Sequence, residues 1–90
     1  MLYMIIEDFR NGDPVPVYRR LRDSGRQMPD GLSYVASWVT TDLNRCYQVV
    51  ECDDREPLDE WMSGWADLVQ FEVVPVLGSS DAANLIAPRL

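Results

Sequence analysis

Apolar side chains fill Leu2–Phe9 at nearly every position, with Leu2, Met4 and Ile6 on one alternation and Tyr3, Ile5 and Phe9 on the other. That density, stopped by Asn11-Gly12-Asp13-Pro14, predicts a strand that is apolar on both faces. Asp13 before Pro14 reads as an N-cap followed by proline at the first helical position, where the missing N–H costs nothing. Val17, Tyr18, Leu21, Gly25 and Met28 then recur at helical spacing, and Pro29-Asp30-Gly31 is the expected stop. Leu32 to Thr40, rich in Val, Tyr, Trp and Thr, predicts a second strand. Asp42-Leu43-Asn44 is a short turn, with Asn44 suited to the left-handed conformation, and Arg45 to Cys52 is the returning strand of a hairpin. Asp53 and Asp54 are the expected caps of a second helix. Its apolar positions, Leu58, Trp61, Met62, Trp65 and Leu68, form one stripe dominated by tryptophan. Val69 to Val76 completes a fourth strand, and Ser79-Ser80-Asp81 starts a short helix through Ile86.

The order βαββαβ is the split βαβ, or ferredoxin-like, arrangement. The expected fold class is therefore α+β. It comprises a four-stranded antiparallel sheet, ordered fourth-first-third-second, with two helices on one face. The chain reads as a single domain over 1–90, with a core at 1–77 and a C-terminal extension at 78–90. Because helices cover one face, the second apolar face of the first strand needs another cover. A homodimer through the sheet face is the economical answer, and the segment Ser79–Leu90 folding over is the runner-up.

Length and charge narrow the partners. Ninety residues lie near the low end for a domain that folds alone. The net charge is −7, and all eight cations are arginine. An acidic body repels phosphate backbones and anionic lipid surfaces, so no nucleic acid and no membrane partner is expected. The apolar N-terminus has no cationic leader and runs directly into Glu7 and Asp8, which reads as a strand rather than a signal peptide. A cytoplasmic location is expected. Cys46 and Cys52 fall in one predicted strand, about 20 Å apart, beyond the roughly 7 Å a disulfide allows between Cα atoms. They read as small buried thiols.

With no histidine in the chain, His-ligated haem, Ser-His and Cys-His nucleophilic pairs and nearly all catalytic zinc sites are excluded. No cofactor and no metal is expected. The candidate ligand-binding residues are Tyr34, Trp38, Gln48, Trp61, Trp65 and Glu7. Trp61 and Trp65, one turn apart, would wall a flat apolar pocket together with Trp38 on the second strand. A bulky core stripe is the competing account of the two helical tryptophans. Gln48 is a polar residue in the middle of a central strand. A three-residue hairpin loop would set Trp38 opposite Gln48 and Tyr34 opposite Cys52, and a four-residue loop would flip that register. Glu7 and Glu51 are candidate carboxylates of raised pKa if covered, suited to removing a proton next to a carbonyl. Arg19, Arg20 and Arg22 read as the wet face of the first helix, with an anion clamp as the alternative.

The segments NGDPVPVYRR, SYVASWV, RCYQVVECDD and WADLVQFEVVPV together resemble a family of short uncharacterised bacterial proteins, over about residues 1–77. That family looks like a branch of the dimeric α/β-barrel superfamily, in which two ferredoxin-like sheets pack face to face. The resemblance implies the fold, a dimer, and a pocket between the sheet and helices of each subunit. It implies no activity, and the histidine of the superfamily's haem-binding members is missing. Two functions fit. The first is a dimeric domain that binds a small organic molecule or serves as an accessory module. The alternative is a cofactor-independent monooxygenase or isomerase acting on a small organic substrate.

Overall fold

A computed structural model describes every residue, Met1–Leu90. The elements run β1 (Leu2–Phe9), a 3-10 turn (Arg10–Gly12), α1 (Val15–Ser24), β2 (Ser33–Val39), β3 (Arg45–Glu51), α2 (Glu56–Trp65), β4 (Val69–Val76) and α3 (Ser79–Ile86), ending in a second 3-10 turn. The class is α+β. One four-stranded sheet has the order β2-β3-β1-β4, or β4-β1-β3-β2 from the other edge, and every neighbouring pair is antiparallel. The chain has three helices in all, α3 being additional to the βαββαβ core. No helix is long and apolar enough to cross a membrane.

Alternation along β1 decides which face is covered. Ile5, Glu7 and Phe9 are buried, whereas Leu2, Met4, Ile6 and Asp8 are half-buried. On β3 the buried set is Cys46, Gln48 and Val50. These residues join Val17 of α1, Leu58, Trp61 and Trp65 of α2, and Val69 of β4 in a single layer beneath the helices.

Local chemistry sets the element ends. An Asp13 carboxylate oxygen accepts the Val15 N–H at 3.0 Å, and the Pro14 carbonyl accepts the Tyr18 N–H. The sequence N-cap thus performs its role at the first turn of α1. The helix does not continue to Met28. Gly25, at φ 70, accepts the reversal at the C-terminus of α1, and its N–H donates to the Leu21 carbonyl at 2.9 Å. The chain from Gly25 to Gly31 is instead a loop, with Gln27 also at positive φ. Asp53 and Asp54 supply no side-chain cap to α2.

The hairpin uses the longer of the two loops considered. Thr40 donates its N–H to the Arg45 carbonyl at 2.8 Å, leaving residues 41–44 as the turn. The Asp42 carboxylate accepts the Thr40 hydroxyl and the Asn44 N–H, so the left-handed position falls on Leu43, φ 63, rather than on Asn44. Trp38 therefore pairs with Tyr47, and Ser37 with Gln48. The longer loop alone would set Tyr34 opposite Glu51, and a register shift between Tyr34 and Ala36 moves it one residue further, opposite Val50 rather than Cys52. This bulge brings Tyr34 and Ser37, three residues apart, to one face, where their hydroxyls are 2.8 Å from each other.

Candidate functional site

A cleft of about 100 Å³ opens between the helices and the covered face of the sheet. Its floor is Glu7 of β1 with Cys46 and Gln48 of β3, and Trp61 and Trp65 of α2 form one wall. Tyr18 of α1 stands at the mouth, 40% exposed, its ring edge-on to Phe9 with centroids 6.3 Å apart. The volume equals about three waters at ~30 Å³ each, well below the ~300 Å³ at which drug-sized sites begin.

The loop after α1 supplies a residue the sequence reading did not single out. Both indole N–H groups, from Trp61 at 2.8 Å and Trp65 at 3.1 Å, donate to the carbonyl of Arg26. This satisfies two buried donors and fixes the loop against α2. The Arg26 side chain then reaches across the sheet. Its Nη1 donates to Gln48 Oε1 at 2.7 Å, and its guanidinium lies 4.1 Å from the Tyr34 ring centroid. Arg20 ties the two helices together from outside, with paired bonds of 2.8 and 2.7 Å to Asp67 and a contact to the Gly64 carbonyl. It is a bridge between α1 and the end of α2, not simply part of a wet face.

Two polar atoms in this cleft have no partner. Glu7 Oε2 and Gln48 Nε2 are both buried and unbonded. An unpaired buried polar group costs about 1–3 kcal/mol, so two beside one cavity stand out in a domain this small. Burial pushes the Glu7 carboxyl up to about 7, with the Cys46 thiol and the Arg26 guanidinium pulling it back. Burial also pushes the Cys46 thiol up to about 12, helped by the negative charge of Glu7. It is therefore a neutral wall group and not a nucleophile at physiological pH. Tyr18 is raised too, first by burial and then by Cys46 and Glu7.

Of the six residues singled out from the sequence, Glu7, Gln48, Trp61 and Trp65 meet at this cleft. Tyr34 sits beside it, stacked on Arg26. Trp38 does not join them. Its pairing with Tyr47 turns it to the opposite face of the sheet, where it is 59% exposed. Glu51 lies outside the cleft, on the alternation of β3 opposite to Gln48, and is bonded to the N-terminal ammonium at 2.8 Å. Cys46, Ser37 and Tyr18 add further polar groups to the lining. The alternation of β3 marks Cys46, two residues from Gln48, as its companion, whereas no periodic signal marks Arg26. No three of the Cys, Asp and Glu side chains gather as a metal site.

Comparison with known proteins gives one match, a family model described as a domain of unknown function, DUF3303, which spans residues 1–90. Neither the curated proteins nor the solved structures return a match. The chain belongs to the DUF3303 family over its whole length.

Proposed function

We propose that this chain is a small-molecule-binding domain whose ligand occupies the cleft between the helices and the sheet. The observation that carries the reading is the pair of unpartnered buried atoms, Glu7 Oε2 and Gln48 Nε2, at the floor of that cleft. A bound molecule supplies the hydrogen bonds that the protein withholds, and the aromatic wall holds its apolar part. The test uses the position of the tryptophans. In Trp38→Phe the remaining indoles, Trp61 and Trp65, both line the cleft. Fluorescence of that variant against a library of small organic fragments is expected to identify saturable binders. A library that leaves its emission unchanged would remove the proposal.

A second reading, an isomerase or cofactor-independent monooxygenase, is favoured by Glu7 alone. A carboxyl that titrates at about 7 suits a general base near neutral pH. Under this reading Glu7 removes a proton next to a carbonyl held by Gln48. Solvent deuterium exchange into a bound ketone, lost in Glu7→Gln, would favour it over simple binding.

The fold reading extends to a ferredoxin-like domain that pairs with a second copy across the open sheet face, as in a dimeric α/β barrel. That face presents Leu2, Met4, Ile6, Tyr47, Val49, Val74 and Trp38. The chain's own tail leaves it bare, since no residue of α3 is buried and Leu85 is 70% exposed. Its charges nearly cancel. Asp8 pairs with Arg45 at 2.6 Å and Glu51 with the N-terminal ammonium, leaving Glu72. Most of the −7 thus lies elsewhere, and two copies meet face to face without much repulsion.

A further inference from the structure

We propose that the cleft takes a small monocarboxylic acid with an apolar tail, whose carboxyl group accepts from Gln48 Nε2 and shares one proton with the Glu7 carboxyl. This rests on the cleft being a ligand site and adds the class of the ligand.

A guanidinium has donors and no acceptor, so the 2.7 Å bond from Arg26 to Gln48 fixes Oε1 towards the arginine. The unpartnered atom of Gln48 is therefore the NH2 group. The ligand must bring an acceptor to it. Glu7 lies opposite Cys46 and Gln48 opposite Ile5 on adjacent strands, so the two residues are diagonal neighbours on one face. Such neighbours are ~7–8 Å apart at their backbones, and their side chains can hold one small polar group between them. A carboxyl group offers two oxygens, one for each partner.

The remaining surroundings select against other classes. Phe9, Val17, Leu21, Trp61 and Trp65 make the rest of the wall apolar, and the volume admits a short tail or part of one ring. Arg26 is the one cation lining the cleft and already faces the Glu7 carboxyl, so a dianion such as a phosphate ester would bring two negative charges to a single guanidinium. The groups facing Glu7 are the neutral Cys46 thiol from β3, Arg26 from the loop after α1, and the Tyr18 hydroxyl from α1, while α2 contributes uncharged indoles. Two carboxylates cannot both ionise in such a place, so one proton stays between them. No bond is made or broken. Where Glu7 is ionised in the free protein, that proton comes from solvent on binding.

The experiment titrates the Trp38→Phe protein with benzoate, butyrate and neutral benzamide between pH 6 and 9, read by fluorescence and calorimetry. Benzoate or butyrate is expected to bind, with a Kd that is flat below about pH 7 and rises roughly tenfold per unit above it, as one proton is taken up. Glu7→Gln, whose amide donates without titrating, is expected to keep binding within a few-fold and lose the pH slope. Gln48→Leu is expected to weaken binding at least tenfold. A pH-independent Kd in the Glu7 protein, or a slope that survives in Glu7→Gln, overturns the shared proton. If benzamide perturbs Trp61 and Trp65 while neither acid does, the acid class fails and the cleft stands as a ligand site. If no probe or other fragment perturbs them, both proposals fall.

Discussion

Glu7 is the residue where stability and the site pull in opposite directions. Folding raises its carboxyl from 4.5 to about 7, mainly because the charged form loses its water. Between those values the folded chain holds a proton that the unfolded chain has released. Stability therefore falls as the pH rises through that window, and the loss is complete above the folded pKa. The shift corresponds to a cost on the order of 3 kcal/mol. Urea unfolding of the wild type against Glu7→Gln is expected to show a gap that widens in favour of the variant from pH 5 to 8. A constant gap would mean that Glu7 is not held neutral. Cys46 makes a second expectation. With its thiol pushed up to about 12 and its side chain buried, it should resist iodoacetamide in the folded protein and react on unfolding. Rapid alkylation at pH 8 under native conditions would contradict this. Glu7 and Gln48 were legible in the sequence as polar interruptions of apolar strands. Their partner Arg26 was not, because a loop residue has no periodicity to betray it.

Among the elements, α2 and the loop from Gly25 to Gly31 act as one unit. The Arg26 carbonyl takes both indole N–H groups, so either tryptophan alone still satisfies it. Trp61→Phe and Trp65→Phe are each expected to cost about 1–2 kcal/mol, from one lost hydrogen bond and some lost packing. The double variant strands the carbonyl and is expected to cost more than the two together, as a double-mutant cycle in chemical denaturation would read. Additivity would mean that the shared carbonyl contributes little. The strands and both core helices could be read from periodicity because each has a burial pattern of its own. The α1 terminus was misread because Gly25 and Met28 continue the helical spacing, while the backbone turns at Gly25. Trp38 was misplaced by one residue of loop length, which turns the side chains of Ala36–Val39 to the other face, whereas the bulge between Tyr34 and Ala36 returns Tyr34 to the covered side.

At the scale of the whole molecule the chain is thin and long. Its extents are 48 × 30 × 17 Å and its radius of gyration is 14.9 Å, against about 12 Å for a compact domain of this length. One helix layer covers one sheet face, and α3 stands off without burying a residue. Under the proposed pairing a second copy covers the open face. Tyr47→Glu, which places a charge on a central strand of that face, is expected to convert a dimer of twice 10.3 kDa to monomer in sedimentation equilibrium. A wild type that sediments as monomer at tens of micromolar would reject the pairing. On the covered side, the account turns on whether the Gln48 amide meets a ligand. The direct measurement is the side-chain NH2 resonance pair of Gln48 in 15N-labelled protein, followed while benzoate and a small fragment set are added. The account expects that pair to shift to saturation together with the indole N–H signals of Trp61 and Trp65, while the Trp38 indole stays in place. A Gln48 pair that does not move for any probe, or a response confined to Trp38, would contradict it.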